Sequence, residues 1–297
     1  MYPRDIIKLK VSDIHTISVK TYGTQSGNPI VLLHGGPGGV SDPVLPGLFN
    51  LKKTNIITFD QRGCGESTPF GSVEENTIWT IIEDMEVIRK KLNIEKWSIL
   101  GGSWGTTVGL AYGISYPRRC TSFILRSIFL CRKKDLEWLF SGARKFFPDK
   151  YSHSYPDLET FFESYWKRLN SKEQTQAASE WMLWEGSLST LKPNIELLQQ
   201  YSKSKMSISG ALLGCHYFRN NGFLKESWIL DNIDQISHIP CHIIQGRYDM
   251  VCTVEPAWDL HSLWPGSRLT ICESSGHSTF EEEIQKALSK SIEIFQL

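Results

Sequence analysis

The sequence lacks a long hydrophobic run and an excess of either charge. No apolar stretch approaches the roughly 18–20 residues that a helix needs to cross a bilayer. The first ten residues, MYPRDIIKLK, have no apolar core of the kind that signal peptides carry. The 32 basic residues balance the 32 acidic ones, whereas a surface for nucleic acid needs a basic excess. These absences argue against a membrane or a nucleic acid as the partner.

The cysteines also lack the spacing of a disulfide framework or a zinc site. There are seven of them, and no two form a CxxC pair, so we interpret them as reduced thiols. Hydrophobic residues make up 40% of the chain and charged residues 22%, which excludes disorder as the dominant state. Together these features predict a soluble enzyme of the cytoplasm with one large domain.

Short apolar runs alternate with helical patterns in the first and last parts of the chain. Strands are predicted at 14–22, 30–33, 56–59, 99–100, 123–125, 242–245 and 268–272, and helices at 79–92, 106–115 and 280–295. This alternation is typical of the α/β class, in which helices flank a mostly parallel sheet.

The middle of the chain, residues 129–235, has few strand signals and many aromatic residues. Helical spacings dominate there, and the alternation of strands and helices resumes after it. A helical block inside such a series is expected to be an insertion that covers the sheet. The predicted organisation is a catalytic domain formed by residues 1–128 and 236–297, with a helical cap at 129–235.

The segment GGSWG at 101–105 marks the junction of a predicted strand and a predicted helix. A nucleophilic serine needs an exposed hydroxyl on a tight turn with small neighbours, and the start of the following helix favours negative charge. The GxSxG pattern alone is a weak signal, because glycine patterns also occur in ordinary turns. Its position between an apolar strand and a helix favours Ser103 as the nucleophile.

A nucleophilic serine needs a histidine to accept its proton and a carboxylate to orient that histidine. Asp249 and His277 each follow one of the last two predicted strands, in the order serine, acid, histidine that α/β hydrolases use. Either residue alone could be an ordinary loop residue. His261 is a rival base, but its apolar neighbours place it on a helix outside the sheet. We therefore predict the triad Ser103, Asp249 and His277.

The oxyanion of a tetrahedral intermediate needs two backbone N–H donors. One is expected from Trp104, the residue after the nucleophile. The other is expected from the loop HGGPGG at 34–39, where glycine lets the backbone approach a substrate closely, and we favour Gly36. A plain turn is the alternative for this loop, and His34 is expected to be structural.

Beyond the triad, the sequence resembles the proline iminopeptidases, which are α/β-hydrolase serine peptidases that remove an N-terminal proline from short peptides. The resemblance rests on motifs that occur in the same order from about residue 10 to residue 295, namely HGGPGG, DQRGCGES, GGSWG, LRSIF, WMLWEGSLSTL, HYF, GRYDMVC and SGHS. It implies an α/β-hydrolase fold with an inserted helical cap, and it implies the same triad. The mechanism requires no metal and no organic cofactor.

The resemblance also implies a site in the cap that holds the free ammonium group of the substrate. Glu185 matches one family glutamate, and Arg126 matches an arginine that lies near it in the family. A second family glutamate, two residues ahead of HYF, is replaced here by Gly214. Arg126 is then expected to face Glu185, Gly214 to open volume, and Tyr217 to line the pocket.

Three functional hypotheses remain open. The first is hydrolysis of a small peptide or amide, including an N-terminal prolyl peptide. The second keeps the same machinery in an esterase, lactonase or amidase for a specialised metabolite, because the glycine at 214 removes a carboxylate that would bind an amine. The third is a binding module on a hydrolase scaffold. The sequence makes no prediction about the oligomeric state.

Overall fold

The computed structural model describes residues 1–151, 155–203 and 205–297. Its centre is a single sheet of eight strands: β1 Asp5–Lys10, β2 Thr16–Gly23, β3 Asn28–Leu33, β4 Thr54–Asp60, β5 Trp97–Ser103, β6 Cys120–Ile128, β7 Cys241–Gly246 and β8 Ser267–Cys272. The strand order is β1-β2-β4-β3-β5-β6-β7-β8. The pairs β1–β2 and β2–β4 are antiparallel, and the remaining pairs are parallel. The sheet is therefore mostly parallel, as predicted.

The helices are α1 Ile78–Lys91, α2 Trp104–Ser115, α3 Lys133–Glu137, α4 Leu158–Leu169, α5 Gln174–Leu188, α6 Ile195–Lys203, α7 Lys205–Arg219, α8 Trp228–Asp231, α9 Val254–Ser262 and α10 Glu282–Ile294. Short 3₁₀ helices lie at Leu45–Leu48, Pro117–Arg119, Ala143–Lys145, Asn221–Phe223 and Ile233–Gln235, and a π-helical turn lies at Trp138–Gly142. In the part of the chain that the structure describes, none of these helices is long and apolar enough to span a membrane.

Both faces of the sheet are covered, because alternate residues of each strand point to opposite sides. In β3, Val31 belongs to a core cluster shared with α1 and α2, whereas Leu32 belongs to a second cluster shared with α10. All the predicted strands are present, and the structure extends most of them by one to three residues at one or both ends. The predicted α/β class is confirmed.

Strand β1 is the one strand that the sequence patterns did not indicate. Its sequence is DIIKLK, and its residues alternate between exposed and half-buried. It lies at the edge of the sheet and pairs only with β2. Such a strand buries little apolar surface and is formed by pairing with its neighbour, so its own sequence carries a weak signal.

Between β6 and β7, the residues that the structure describes form helices α3 to α8 and no strand. Trp181 of α5 is almost fully buried and is the centre of an aromatic cluster. Its ring centroid lies 4.9 Å from that of Phe140, 5.3 Å from Tyr165 and 6.4 Å from Phe218. Most of the aromatic residues in this region therefore pack against one another.

Candidate active site

Ser103 lies at the turn between β5 and α2 in a backbone conformation that L-residues rarely adopt, with φ 56° and ψ −127°. The glycines around it have no room for a side chain. A Cβ at Gly101 would collide with the carbonyl group of Gly105, and one at Gly105 would collide with the carbonyl group of Leu33. Close packing of three backbone segments thus requires the glycines of the GGSWG motif and turns the Ser103 side chain toward a cavity.

His277 and Asp249 form the second part of the site. Nδ1 of His277 lies 2.9 Å from Oδ2 and 3.0 Å from Oδ1 of Asp249. Oδ1 also accepts hydrogen bonds from the N–H groups of Val251, at 3.0 Å, and Cys252, at 2.8 Å. Burial raises the pKa of the Asp249 carboxyl, but the charge and hydrogen bond of His277, together with hydrogen bonds from the Cys252 N–H group and the Ser127 hydroxyl, outweigh it, so the pKa lies below its ordinary value. An ionised Asp249 favours the tautomer with the proton on Nδ1 and leaves Nε2 of His277 as a base.

Ser103 and His277 line one cavity. Among the described side chains, no hydrogen bond joins Ser103 Oγ to His277, and the polar contact of Ser103 Oγ is with Sγ of Cys252 at 4.0 Å. Catalytic hydrogen bonds often tighten only when substrate binds. The structure therefore brings the three predicted triad residues together, but Ser103 and His277 are not hydrogen-bonded to each other.

The glycine-rich loop after β3 lies directly against the nucleophile. A Cβ at Gly35 would lie 3.2 Å from Cβ of Ser103. Gly36 has φ +118°, and a side chain there would lie 2.6 Å from the nitrogen atoms of Gly38 and Gly39. Trp104 is the first residue of α2, where backbone N–H groups have no partner within the helix. Both predicted oxyanion donors thus lie on backbone segments that adjoin the nucleophile.

His34 supports this loop. Its Nε2 accepts a hydrogen bond from the N–H group of Gln61 at 3.0 Å, and its Nδ1 lies 2.9 Å from the carbonyl oxygen of Gly35. The Gln61 side chain donates to the carbonyl oxygen of His34 and accepts from Nε1 of Trp104, both at 3.0 Å. Burial lowers the pKa of His34, so the neutral ring fits this network. The structural role predicted for His34 agrees with these contacts.

His261, the rival base, lies on α9. Its Nδ1 is 2.6 Å from Oγ of Ser267, and it does not border the cavity of Ser103. The preference for His277 agrees with this placement.

The cavity has a volume of about 800 Å³ and lies between the glycine-rich loop, the triad and helices α5 to α7. Its lining is mostly apolar, with side chains that include Met182, Leu198, Phe218 and Phe280. Glu185 of α5 also lines it, and its Oε1 accepts a hydrogen bond from Nε1 of Trp181 at 2.9 Å. Burial raises the pKa of Glu185 to about 7, against the opposing effect of that hydrogen bond.

Arg126 and Glu185 both line the cavity, but among the described residues no ion pair joins them, so the direct pairing expected from the resemblance is absent. Nη1 of Arg126 donates hydrogen bonds to the carbonyl oxygen of His277 and, at 2.9 Å, to Oγ of Ser127. The carboxylate whose charge influences its pKa is that of Asp249. Arg126 lies on β6 and Glu185 lies on α5, and a sequence motif alone does not show which carboxylate the arginine approaches.

Tyr217 and Gly214 also differ from the predictions. The hydroxyl group of Tyr217 donates to Oδ1 of Asn76 at 2.6 Å, and its ring lies 4.7 Å from that of Trp104, so it is buried behind the cavity and does not line it. A Cβ at Gly214 would lie 3.1 Å from Cζ2 of Trp181. The indole ring therefore occupies the space next to this glycine, and the glycine opens no volume for substrate.

Gln245 is a supporting residue that the sequence interpretation missed. Its Nε2 donates to Oδ2 of Asp249 at 3.2 Å and to the carbonyl oxygen of Cys252 at 2.7 Å. Its Oε1 accepts from the N–H group of Ile128 at 3.0 Å. A polar side chain directly after the apolar pair Ile243 and Ile244 is the signal in the sequence that points to it.

Comparisons with known proteins agree with this geometry. The family model for the alpha/beta hydrolase fold matches residues 28–284. The chain is 43% identical to a proline iminopeptidase of Arabidopsis thaliana, over 94% of this chain and 77% of that protein. It is 41% identical to a probable proline iminopeptidase of Leptolyngbya boryana, over 97% and 92%.

Solved structures with lower sequence identity share the fold. A proline iminopeptidase from Mycobacterium smegmatis superposes with a TM-score of 0.68 at 18% identity, covering 98% of each chain. An esterase from Exiguobacterium antarcticum superposes with a TM-score of 0.70 at 20% identity, covering 99% of each chain. The relatives that are 41–43% identical over nearly the whole chain show that it belongs to the proline iminopeptidase family of α/β hydrolases.

Proposed function

We propose that this enzyme is a serine hydrolase of the prolyl aminopeptidase type that acts through Ser103, His277 and Asp249. The observation that carries the proposal is the joining of three features in one cavity: a strained serine turn, a buried carboxylate bonded to a histidine, and a glycine-rich loop against the serine. Residues 129–235 act in this proposal as a cap that closes the cavity from above.

The reaction follows the general course of acyl transfer. Oγ of Ser103 attacks the substrate carbonyl carbon while Nε2 of His277 takes its proton. The N–H groups of Trp104 and Gly36 stabilise the oxyanion. His277 then gives the proton to the leaving amine, and a water molecule activated by the same base releases the acyl group. Asp249 remains ionised and stabilises the imidazolium that forms in each half of the reaction.

The substrate in this proposal is a small peptide or amide with an N-terminal proline or a similar residue. Relatives that are 37–43% identical over most of the chain carry the name proline iminopeptidase, one of them as a probable one. Glu185 supplies a carboxylate in the cavity that suits a free ammonium group. All seven cysteines are free thiols, which supports a reducing compartment such as the cytoplasm.

The first experiment compares kcat/KM for a prolyl arylamide and for its N-acetylated counterpart, with Ser103→Ala as the blank. If Glu185 holds the ammonium group, the free amine is preferred about 100-fold or more, which corresponds to about 2.7 kcal/mol. Turnover by Ser103→Ala at the wild-type rate would contradict the serine mechanism itself.

An esterase or amidase for blocked substrates is the second candidate. The observation that favours it is that Gly214 provides no second carboxylate and that Trp181 fills the adjoining space. Equal rates for the two arylamides, or faster turnover of the acetylated one, would support this candidate. Ser103→Ala remains inactive under both candidates, so the experiment separates the substrate from the mechanism.

A further inference from the structure

Arg126 is a buried cation that the proposed reaction does not use. Its exposed fraction is 9%, and among the described residues no carboxylate lies within ion-pair distance of it. Burial lowers its pKa, and the charge of Asp249 opposes that effect. Burying a guanidinium without a carboxylate beside it costs free energy. An arginine at this position therefore needs a compensating role.

The hydrogen bonds of Arg126 lead to the histidine. Nη1 donates to the carbonyl oxygen of His277, and this bond joins β6 to the loop after β8. On the other side of this loop, the N–H group of Gly276, the residue before His277, donates to Oε2 of Glu281 at 2.6 Å. The main chain that carries the His277 ring is therefore held from within the sheet by Arg126 and from outside by a glutamate.

A β-bulge in β6 connects Arg126 with Asp249, the acid of the triad. Gly102 pairs with Arg126 and Ser103 pairs with Ile128, so Ser127 is an extra residue in the strand. Its φ is +54°, and it is fully buried. Bulges of this kind redirect side chains beside active sites. The Ser127 hydroxyl accepts a hydrogen bond from Arg126 at 2.9 Å, and its own hydrogen bond is one of those that lower the pKa of Asp249.

The guanidinium also lies against the residue before the nucleophile. A Cβ at Gly102 would lie 3.0 Å from Cζ and Nε of Arg126 and would collide with Nη2. Because residue 102 is a glycine, the Arg126 guanidinium can pack against the backbone of β5 next to the strained turn of Ser103. One side chain consequently touches the segments that carry the nucleophile and the base, and it reaches the acid through Ser127.

We propose that Arg126 is a positioning residue for the triad. It fixes the main chain of His277, it aligns Asp249 through the hydroxyl group of Ser127, and it packs under the turn of Ser103. This inference rests on the proposed function, because it needs Ser103 to be the nucleophile. It differs from the role in substrate binding that the resemblance implied for Arg126.

The test compares Arg126→Met with Arg126→Lys and with a matched control, Arg89→Met. Arg89 has an exposed fraction of 5%, is paired with Glu86 on α1, and does not border the cavity. For each variant we would measure kcat and KM with a prolyl arylamide and with p-nitrophenyl acetate. We would also measure the rate at which a fluorophosphonate labels Ser103 and the melting temperature.

In Arg126→Met, we expect the His277 ring to be displaced and kcat to fall by about 100-fold for both substrates. Small displacements of a catalytic group have effects of this size. KM stays near the wild-type value, and labelling of Ser103 slows in proportion to kcat. Arg126→Lys recovers part of kcat, because its ammonium group can still donate to the carbonyl oxygen of His277. Arg89→Met loses thermal stability and keeps kcat.

A rise in KM with kcat unchanged, for the arylamide alone, would overturn the proposal and make Arg126 a substrate-binding residue. The proposal would also be overturned if Arg126→Met kept the wild-type kcat for both substrates and the wild-type rate of labelling at Ser103. If Arg126→Met does not fold, Ser127→Ala tests the same link, with an expected fall in kcat of about tenfold at constant KM. Wild-type protein that is not labelled at Ser103 would instead refute the proposed function.

Discussion

The two sides of the cavity are constructed in different ways. On the sheet side, backbone turns and hydrogen bonds fix each group: the strained turn places Ser103, and the donors around the carboxylate of Asp249 include two backbone N–H groups. On the helical side, packing of large aromatic rings places the groups, and the carboxylate of Glu185 has a single described hydrogen bond, from Trp181. The comparison shows that backbone turns and hydrogen bonds hold the triad residues, whereas side-chain packing holds the groups on the helical side.

Replacing the nucleophile is the strongest test of the sheet side. Ser103→Ala is expected to lower kcat by about 10⁶-fold, because removing the nucleophile of a serine triad has an effect of this size. The fold should persist, since only one oxygen atom is removed from a residue with 9% exposure. Steady-state kinetics and circular dichroism check both expectations, and substantial residual turnover would show that another residue attacks the substrate.

Replacing Asp249 tests whether its carboxylate orients the ring of His277. Asp249→Asn is expected to lower kcat by about 10⁴-fold, because an amide that donates to Nδ1 selects the wrong tautomer of His277. The activity of this variant is measured at several pH values. A loss of less than tenfold would mean that the carboxylate is not the group that orients His277.

The helical side is tested by Glu185→Gln, which keeps the size of the side chain and removes its charge. The preference for a free amine over its acetylated counterpart is expected to fall by about 100-fold. In the wild type, the pKa of about 7 means that Glu185 is mostly protonated below pH 7 and mostly ionised above it. Binding of an ammonium substrate should therefore strengthen as the pH rises through 7, and the Gln variant should lose this dependence.

The packing around Gly214 gives a prediction about stability. Gly214→Glu must displace the ring of Trp181, which lies 3.1 Å from the position of the new Cβ, so we expect destabilisation by about 1–3 kcal/mol. Gly214→Ala is the control, because it adds the Cβ without the carboxylate. Urea unfolding measures the change. A stable Glu variant with a stronger preference for free amines would show that this position borders the substrate after all.

The smallest expected effect concerns the hydrogen bond of Trp181. This bond lowers the pKa of Glu185, so Trp181→Phe should raise the pH at which binding of the free amine strengthens. The pH profile of kcat/KM for the prolyl arylamide measures the shift. A shift to lower pH would contradict the role of Trp181 as a donor to Glu185.

Much of the sheet side could be predicted from the sequence, because its features are local. Apolar runs indicated the strands, and glycines flanking Ser103 indicated the turn. The positions of Asp249 and His277 after strands sufficed to place them together, since parallel strands end at the same edge of a sheet. The helix predicted to begin at residue 106 begins at Trp104 in the structure, a difference of the size that is usual at helix ends.

What the sequence by itself determined is the α/β class, the order of strands and helices, and the residues from which a triad can form. Tertiary structure alone decided that Arg126 meets His277 and not Glu185, that Tyr217 bonds to Asn76, and that the ring of Trp181 fills the space beside Gly214. These contacts join elements far apart in the chain, and they depend on how side chains of given shape pack together. Periodicity and motifs specify where a strand ends, but only the packed structure specifies which side chain its residues touch.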